Sequence, residues 1–416
     1  MAQLETLTAL DIGSSKVVCA IAELSPDGNM SIVAHGVAPC SGLRCGALVD
    51  SVETVSAIEQ AVSQAESSGY SIGPVVVGLT SENLCFKAGC GVAAVGNKDG
   101  EVRQEDMRRA QASAGLVDFP SGFEIVSVVT RSYSVDGQRD IANPAGIAGV
   151  RLEAESYVCA ASLPYLQNVQ KIIARAGIES RPNGLLPAAM ASALAVLTDD
   201  ESDIGALVLD FGMGVIDLAL YSAKEIGYAA VLGQGGWILT NDVARFFNIT
   251  KDEAERLITD FGCASPAYLD KAAAEQKITA LSASGDALVE VSRRELAEVL
   301  EARLQDIIDW VRARLDEARE QHGLTPSSIA ITGGGSLLPG LDKRLGEELG
   351  LTTRVAVPCC PANLPQYLKS PMYSTVVGLL AFGADMVKQG TDETGEIIPS
   401  AGNIFVRIID WFGRVF

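Results

Sequence analysis

Histidine is nearly missing from this 416-residue chain, which has two, His35 and His322, and no Cys-x-x-Cys pair accompanies them. A tetrahedral zinc site draws on imidazole and thiolate ligands at short spacing, so no structural metal is expected. The nine cysteines are odd in number and scattered, with Cys359 and Cys360 adjacent. Such a set is poor material for a disulfide framework and suits reduced thiols packed as small core residues. Positive charge is also short: 32 Lys and Arg against 52 Asp and Glu leave a net charge of -20, which works against nucleic acid as a partner. No window stays apolar long enough to cross a bilayer, and residues 1–6 lack the basic and apolar regions of a secretion signal. The expectation is a soluble, cytoplasmic body. What the chain has in quantity is apolar side chains, 48% of all residues, enough for about two or three domains with their own cores.

Two segments about half a chain apart share one pattern. Asp11-Ile-Gly-Ser-Ser-Lys16 and Leu209-Asp-Phe-Gly-Met-Gly214 both place Asp-x-Gly at the end of a strand-like run, 7–10 and 206–209, and a second apolar run follows each, 17–21 and 215–221. Glycines in such a turn let backbone N–H groups come close to a phosphate, and the leading Asp can hold a metal-bound water. Two such hairpins facing each other would clamp a polyphosphate. A third glycine turn, Ile329-Ala-Ile-Thr-Gly-Gly-Gly-Ser336, offers bare backbone to a purine or ribose; alone it reads equally well as a plain loop. Its weight comes from position: the order of elements is that of a duplicated fold closing on a nucleotide.

Helix starts punctuate the rest. Asp50-Ser-Val-Glu53 resembles a capping box ahead of Val55, Ile58, Val62 and Ala65, stopped at Gly69; a second helix spans 164–176; Thr250-Lys-Asp-Glu253 caps a third. Ser292-Arg-Arg-Glu295 opens a long helix with Leu296, Leu300, Leu304, Ile307, Ile308, Val311 and Leu315 on one stripe. Residues 83–160 interrupt the first half as an α+β insert, with a helix at 103–115 and strands at 123–129 and 149–159. Residues 388–402 have no apolar period and read as linker. The end, 403–416, patterned as a helix, places Ile404, Phe405, Ile408, Trp411, Phe412 and Val415 on one face and Arg407, Asp410 and Arg414 on the other. An aromatic-rich amphipathic helix after a linker suits a membrane interface; docking back on the body is the competing reading. One tail would bind a membrane weakly, and many tails on one polymer tightly.

These motifs together resemble the FtsA family, actin-like bacterial division proteins that anchor the tubulin-like FtsZ ring to the inner membrane. The resemblance rests on Leu10-Asp-Ile-Gly-Ser-Ser-Lys-Val17, Ser132-Tyr-Ser-Val-Asp-Gly137, Gly149-Val-Arg-Leu-Glu-Ala154, Ser192-Ala-Leu-Ala-Val-Leu-Thr198, Ile331-Thr-Gly-Gly-Gly335, Pro371, Val377-Gly-Leu-Leu380 and the terminal helix. It implies an α/β actin-like ATPase fold, duplicated ribonuclease-H-like domains around a nucleotide cleft. Subdomain 1A would comprise 1–82 and 161–200 with 371–387, insert 1C 83–160, 2A 201–236 and 324–370, and 2B 237–323. It also implies ATP with Mg2+. The residues carried over to nucleotide binding are Asp11, Gly13, Ser14, Ser15, Lys16, Asp210, Gly212, Met213, Gly214, Asp217, Gly236, Asp242, Glu255, Gly333, Gly334, Gly335 and Ser336, with Asp11 and Asp210 holding Mg2+ through water.

The implied partners are the FtsZ C-terminal tail on 2B, other copies in a filament, and later division proteins such as FtsN through 1C. The implied location is the cytoplasmic face of the inner membrane at the septum. Arg303 matches a position linked to partner contacts, though a solvated ion pair serves as well. Three departures stand out: Val215 replaces a hydroxyl residue, Ala188 an acid and Ile258 a lysine. Loss of an acid and a hydroxyl weakens metal positioning and water activation more than base stacking, so nucleotide binding with poor hydrolysis is expected. An actin-fold small-molecule kinase or a pilus-type assembly ATPase is the alternative; a kinase would need a carboxylate base by the γ-phosphate.

Overall fold

A computed structural model describes residues 5–388 apart from 26, 27 and 362. Two five-stranded sheets repeat one plan. In the first, the order is Ser180–Pro187, Val75–Leu79, Glu5–Ile12, Lys16–Leu24, Met30–Pro39; in the second it is Glu225–Leu232, Ile216–Ser222, Ala206–Phe211, Ser328–Thr332, Thr352–Val355. In both, the strand carrying Asp-x-Gly pairs antiparallel with the strand after the turn and parallel with its other neighbour. The predicted duplication is therefore present in the hydrogen-bonding pattern.

Side-chain alternation decides what each strand face meets. Leu7 and Ala9 join a core shared by both halves, whereas Leu10 and Ile12 join the outer core under helices Ser51–Glu66 and Leu163–Arg175. The second half repeats this: Ala206, Val208, Ala219 and Tyr221 face the shared core, while Leu207, Leu209, Phe211, Ile216, Leu218 and Leu220 face the long helix Arg293–His322. Asp11, Asp210 and Asp217 continue the inward rows, so the period of two aims all three at the space between the sheets.

Two helices fill that space, Ala188–Val196 and Ser374–Lys388. Ala188–Val196 is buried at every position, and an evenly apolar helix carries no 3.6-residue period to reveal it. The insert folds separately as a sheet ordered Leu84–Ala94, Arg151–Ser162, Phe123–Val135, Gln138–Ile141 under helix Gln104–Ala114, with its own core around Met107, Tyr133 and Leu152. A Cβ at Gly91 would lie 2.0 Å from Ala110 O, which explains the glycines in that strand: the helix rests on bare backbone.

The caps differ in detail from the sequence reading. Ser292 and Glu295 close a reciprocal box. Asp50 accepts from the N–H groups of Val52 and Glu53, but the Glu53 carboxylate turns to the Ser41 hydroxyl. Thr250 accepts from Glu253 N–H while the Glu253 carboxylate pairs with Arg256. In both cases the N–H of the cap residue is already spent on a carbonyl, Asp50 on Gly42 O at 3.0 Å and Thr250 on Leu281 O at 3.2 Å. Among the described residues no helix is long and apolar enough to cross a membrane. The terminal helix predicted over 403–416 and the linker before it lie outside the described residues.

Candidate functional site

The two hairpin turns have the same closure. Gly13 N–H donates to Lys16 O at 2.9 Å, and Gly212 N–H donates to Val215 O at 3.0 Å. They meet across the cleft: a Cβ on Gly214 would fall 3.4 Å from Cys45 N and within the radius of Ser14 Oγ. Behind the second turn, Gly236 and Trp237 N–H donate to Gly212 O and Met213 O at 2.9 Å each, so the start of helix Gly236–Phe247 is bound to the turn itself.

The third glycine turn lies against the same carboxylate. Gly333 has φ +79 and leaves no room for a Cβ, which would stand 2.3 Å from Asp210 Oδ1. Its N–H donates to Pro371 O at 3.1 Å, and the Ser336 hydroxyl donates back to Gly333 O at 2.7 Å. Gly334 borders Met372, and Gly335 lies on the Phe211 ring.

Three carboxyl groups and one ammonium occupy the cleft floor. Asp210 accepts from the hydroxyls of Ser192 and Thr375, the latter at 3.0 Å. Asp217 Oδ2 accepts from Thr80 Oγ1 at 2.7 Å, and its Oδ1 is buried with no partner. Burial, and then the neighbouring Asp210 charge, push the Asp11 carboxyl up to about 7 against the opposing pull of Lys16. Asp217 is raised well above the usual carboxylate range by burial and by Asp210, and Asp210 is raised by burial. Burial lowers the Lys16 ammonium, which lies 4.8 Å over the Tyr373 ring. Carboxyls are pushed up when their charged forms lack solvation, and one lysine does not balance three.

The hard-oxygen donor set and the orphaned Asp217 Oδ1 fit a divalent cation such as Mg2+. Among the described residues no three ligating side chains are placed to bind a metal directly, so a cation here would be held through water, as Mg2+ commonly is.

Not every predicted residue joins this cluster. Asp242 lies along helix Gly236–Phe247 and accepts from Arg303 Nε at 2.6 Å, while Glu255 is exposed on helix Lys251–Phe261. Asp242 and Arg303 border one groove of about 720 Å³ with Arg245 and Phe246. Of the departures, Val215 and Ala188 are buried and Ile258 packs on the second core. Thr80, Ser192, Thr375 and Tyr373 were missed by sequence reasoning. Ser192 is the one hydroxyl in an otherwise apolar helix, a signal that helix detection would have exposed; Thr80 and Thr375 carried none. The halves also touch at the cleft edge, where Gly233 N–H donates to Glu82 Oε1 at 2.9 Å and Arg44 lies 5.2 Å over the Trp237 ring.

Comparison with known proteins gives the same architecture. The family model described as Cell division protein FtsA matches residues 207–378, and the SHS2 domain inserted in FTSA matches 87–160. The chain is 33% identical to the cell division protein FtsA of Neisseria meningitidis serogroup B over 414 residues, 99% of this chain and 98% of that protein. To the FtsA of Pseudomonas aeruginosa it is 31% identical over 386 residues, 92% and 90% of the two chains. Among solved structures, a PilM-PilN type IV pilus biogenesis complex shares the fold with a TM-score of 0.64 at 19% identity, covering 91% of this chain and 98% of that one. MreB5 of Spiroplasma citri bound to ADP does so at 0.54 and 15%, covering 93% and 99%. The fold is the actin-like ATPase fold with an SHS2 insert.

Proposed function

Because the chain belongs to the FtsA family of cell division proteins, we propose that it is a division adaptor whose cleft binds ATP with Mg2+ and whose bound state supports assembly. The observation that carries this reading is the convergence of Asp11, Asp210 and Asp217 on the floor between two matched glycine hairpins. When bound, Mg2+ would supply the charge that the three carboxyls lack a partner for. Asp11, Asp210 and Asp217 would hold its water shell, with the Asp217 carboxyl fixed by Thr80 and the Asp210 carboxyl by Ser192 and Thr375. Bare backbone at Gly13, Gly212 and Gly214 admits the phosphates, and the turn at Gly333 to Ser336 admits the adenosine. The buried methyls of Val215 and Ala188 offer neither a hydroxyl nor an acid to a water nucleophile, which favours binding over turnover.

The groove of Asp242, Arg245, Phe246, Glu295, Glu298, Arg303 and Asp306 supports a place in 2B for the FtsZ C-terminal tail: exposed Phe246 offers an apolar anchor to a peptide, and the charged rim, where Arg303 already pairs with Asp242 and Asp306, sets the register. The amphipathic pattern of 403–416 supports attachment to the cytoplasmic face of the inner membrane, at the septum. Membership of the family supports self-association into a filament and contacts of the insert with later division proteins such as FtsN as parts of the same proposal.

The test is thermal unfolding with ATP. ATP with Mg2+ raises Tm, by an amount that at saturation corresponds to about 3 kcal/mol for ligand at 100 times Kd; chelating Mg2+ removes most of the rise. No shift at millimolar ATP and Mg2+ would sink the reading.

A further inference from the structure

After strand Thr352–Val355 the chain leaves the second half and returns to the first at helix Ser374–Lys388. On the way it passes the last turn of helix Ala188–Val196, where the other connection between the halves begins. Two adjacent thiols sit at this crossing. Cys359 N–H donates to Ala195 O at 2.9 Å and its Sγ lies 3.3 Å from the same oxygen. Cys360 Sγ lies 3.5 Å from Leu194 O. Cys359 is exposed and Cys360 is buried. Beside them, the Arg354 guanidinium pairs with Glu201, Nε to Oε1 2.6 Å, and donates to Val196 O at 2.8 Å. The Cys359 thiol is held below its ordinary range chiefly by a hydrogen bond from Cys360 and further by the Arg354 charge, against burial and Glu201. The same contact, with burial, raises Cys360. An exposed cysteine held below its ordinary range next to a second thiol that can resolve a sulfenic acid is the arrangement that reacts with peroxides.

We propose that Cys359 and Cys360 form a redox modification site for hydroperoxides, with Cys359 the attacking sulfur and Cys360 the resolving one. The Cys359 thiolate attacks a peroxide oxygen; the O–O bond breaks, Cys359 becomes a sulfenic acid, and the alkoxide or hydroxide leaves and takes a proton from water. The Cys360 sulfur then attacks the Cys359 sulfur. The S–S bond forms, the S–O bond breaks, and hydroxide leaves with the Cys360 proton as water. Two electrons pass from the thiols to the peroxide, and a dithiol reductant reverses the step. The disulfide takes both sulfurs from the carbonyls at the end of the helix that carries Ser192, and so acts at the crossing between the halves.

The full-length protein is treated with stoichiometric hydrogen peroxide, the free thiols are alkylated, and the tryptic peptide 355–369 is weighed. This peptide loses its two thiol hydrogens and regains them with dithiothreitol, while exposed Cys90, whose thiol burial raises, is oxidised roughly tenfold more slowly. In Cys360→Ser, dimedone traps a sulfenic acid on Cys359. In Cys359→Ser, Cys360 stays alkylatable only after unfolding. Oxidation of Cys90 first, a wild-type peptide that keeps both alkylatable thiols, or no dimedone adduct in Cys360→Ser each overturns the proposal. The readout needs no nucleotide, so its failure leaves the cleft reading untouched.

Discussion

Asp11 carries a pH dependence whose sign follows from its surroundings. Its carboxyl is raised to about 7 from 3.8, so the native protein without a cation keeps a proton that the unfolded chain releases near pH 4. Stability from this group is fully present below the unfolded value and is lost as pH rises through about 7, a change of order 4 kcal/mol. Ligand-free Tm should therefore fall between pH 4 and 7, and Mg2+ with ATP should restore it at pH 8. Asp11→Asn removes the charge: by differential scanning calorimetry its ligand-free Tm at pH 8 exceeds wild type by a few degrees, and its response to Mg2+ and ATP disappears. A variant that is less stable at pH 8, or still responds fully, refutes the electrostatic account. The residues of this site were half legible. Asp11 and Asp210 stand at the ends of apolar runs that are plain in sequence, and Asp217 came with the family resemblance, whereas Thr80 and Thr375 meet Asp217 and Asp210 from 137 and 165 residues away, and no local pattern marks such partners.

At the scale of elements, the glycine turns are held by backbone as much as by side chains. Gly333 combines a left-handed φ with contact on Asp210 Oδ1. With φ +79 and ψ 169 Gly333 sits in an essentially glycine-only region, so Gly333→Ala should cost more than the roughly 1–3 kcal/mol of backbone strain there, because Asp210 has to move as well; urea unfolding reads the loss, and the Mg2+ response should drop with it. An unchanged midpoint would show that the turn tolerates a side chain. On the long helix Arg293–His322, Arg303 reaches both Asp242 and Asp306. Arg303→Glu replaces these pairs by repulsion across a half-exposed groove, and binding of an FtsZ tail peptide, followed by fluorescence anisotropy, should weaken at least about tenfold. Equal affinity would move the tail elsewhere on the surface. The start of that helix and its stripe to Leu315 were legible, because the Ser292 cap and the apolar period agree; its end at Gly323 is a finding of the structure. Ala188–Val196 was not legible, since burial on all sides erases the period by which a helix is read.

For the whole molecule, the proposed membrane contact through 403–416 and the proposed nucleotide cleft are separable by deletion. Deleting residues 404–416 should leave the ATP-dependent Tm shift intact and abolish flotation with anionic liposomes; flotation that persists would place the membrane contact on the body. The sequence alone determined the class of fold, the pairing of two hairpin turns and the insert, because apolar runs, glycine turns and caps are encoded within a few residues of one another. Tertiary structure alone decided which groups meet. It set Gly214 against Ser14, gave Asp217 to Thr80 and Asp210 to Ser192 and Thr375, and turned Asp242 to Arg303 on the groove. It also brought Cys359 and Cys360 to the end of the Ser192 helix. Those contacts depend on how two sheets pack around two largely buried helices, and meetings between residues so far apart in sequence leave no local pattern in the chain.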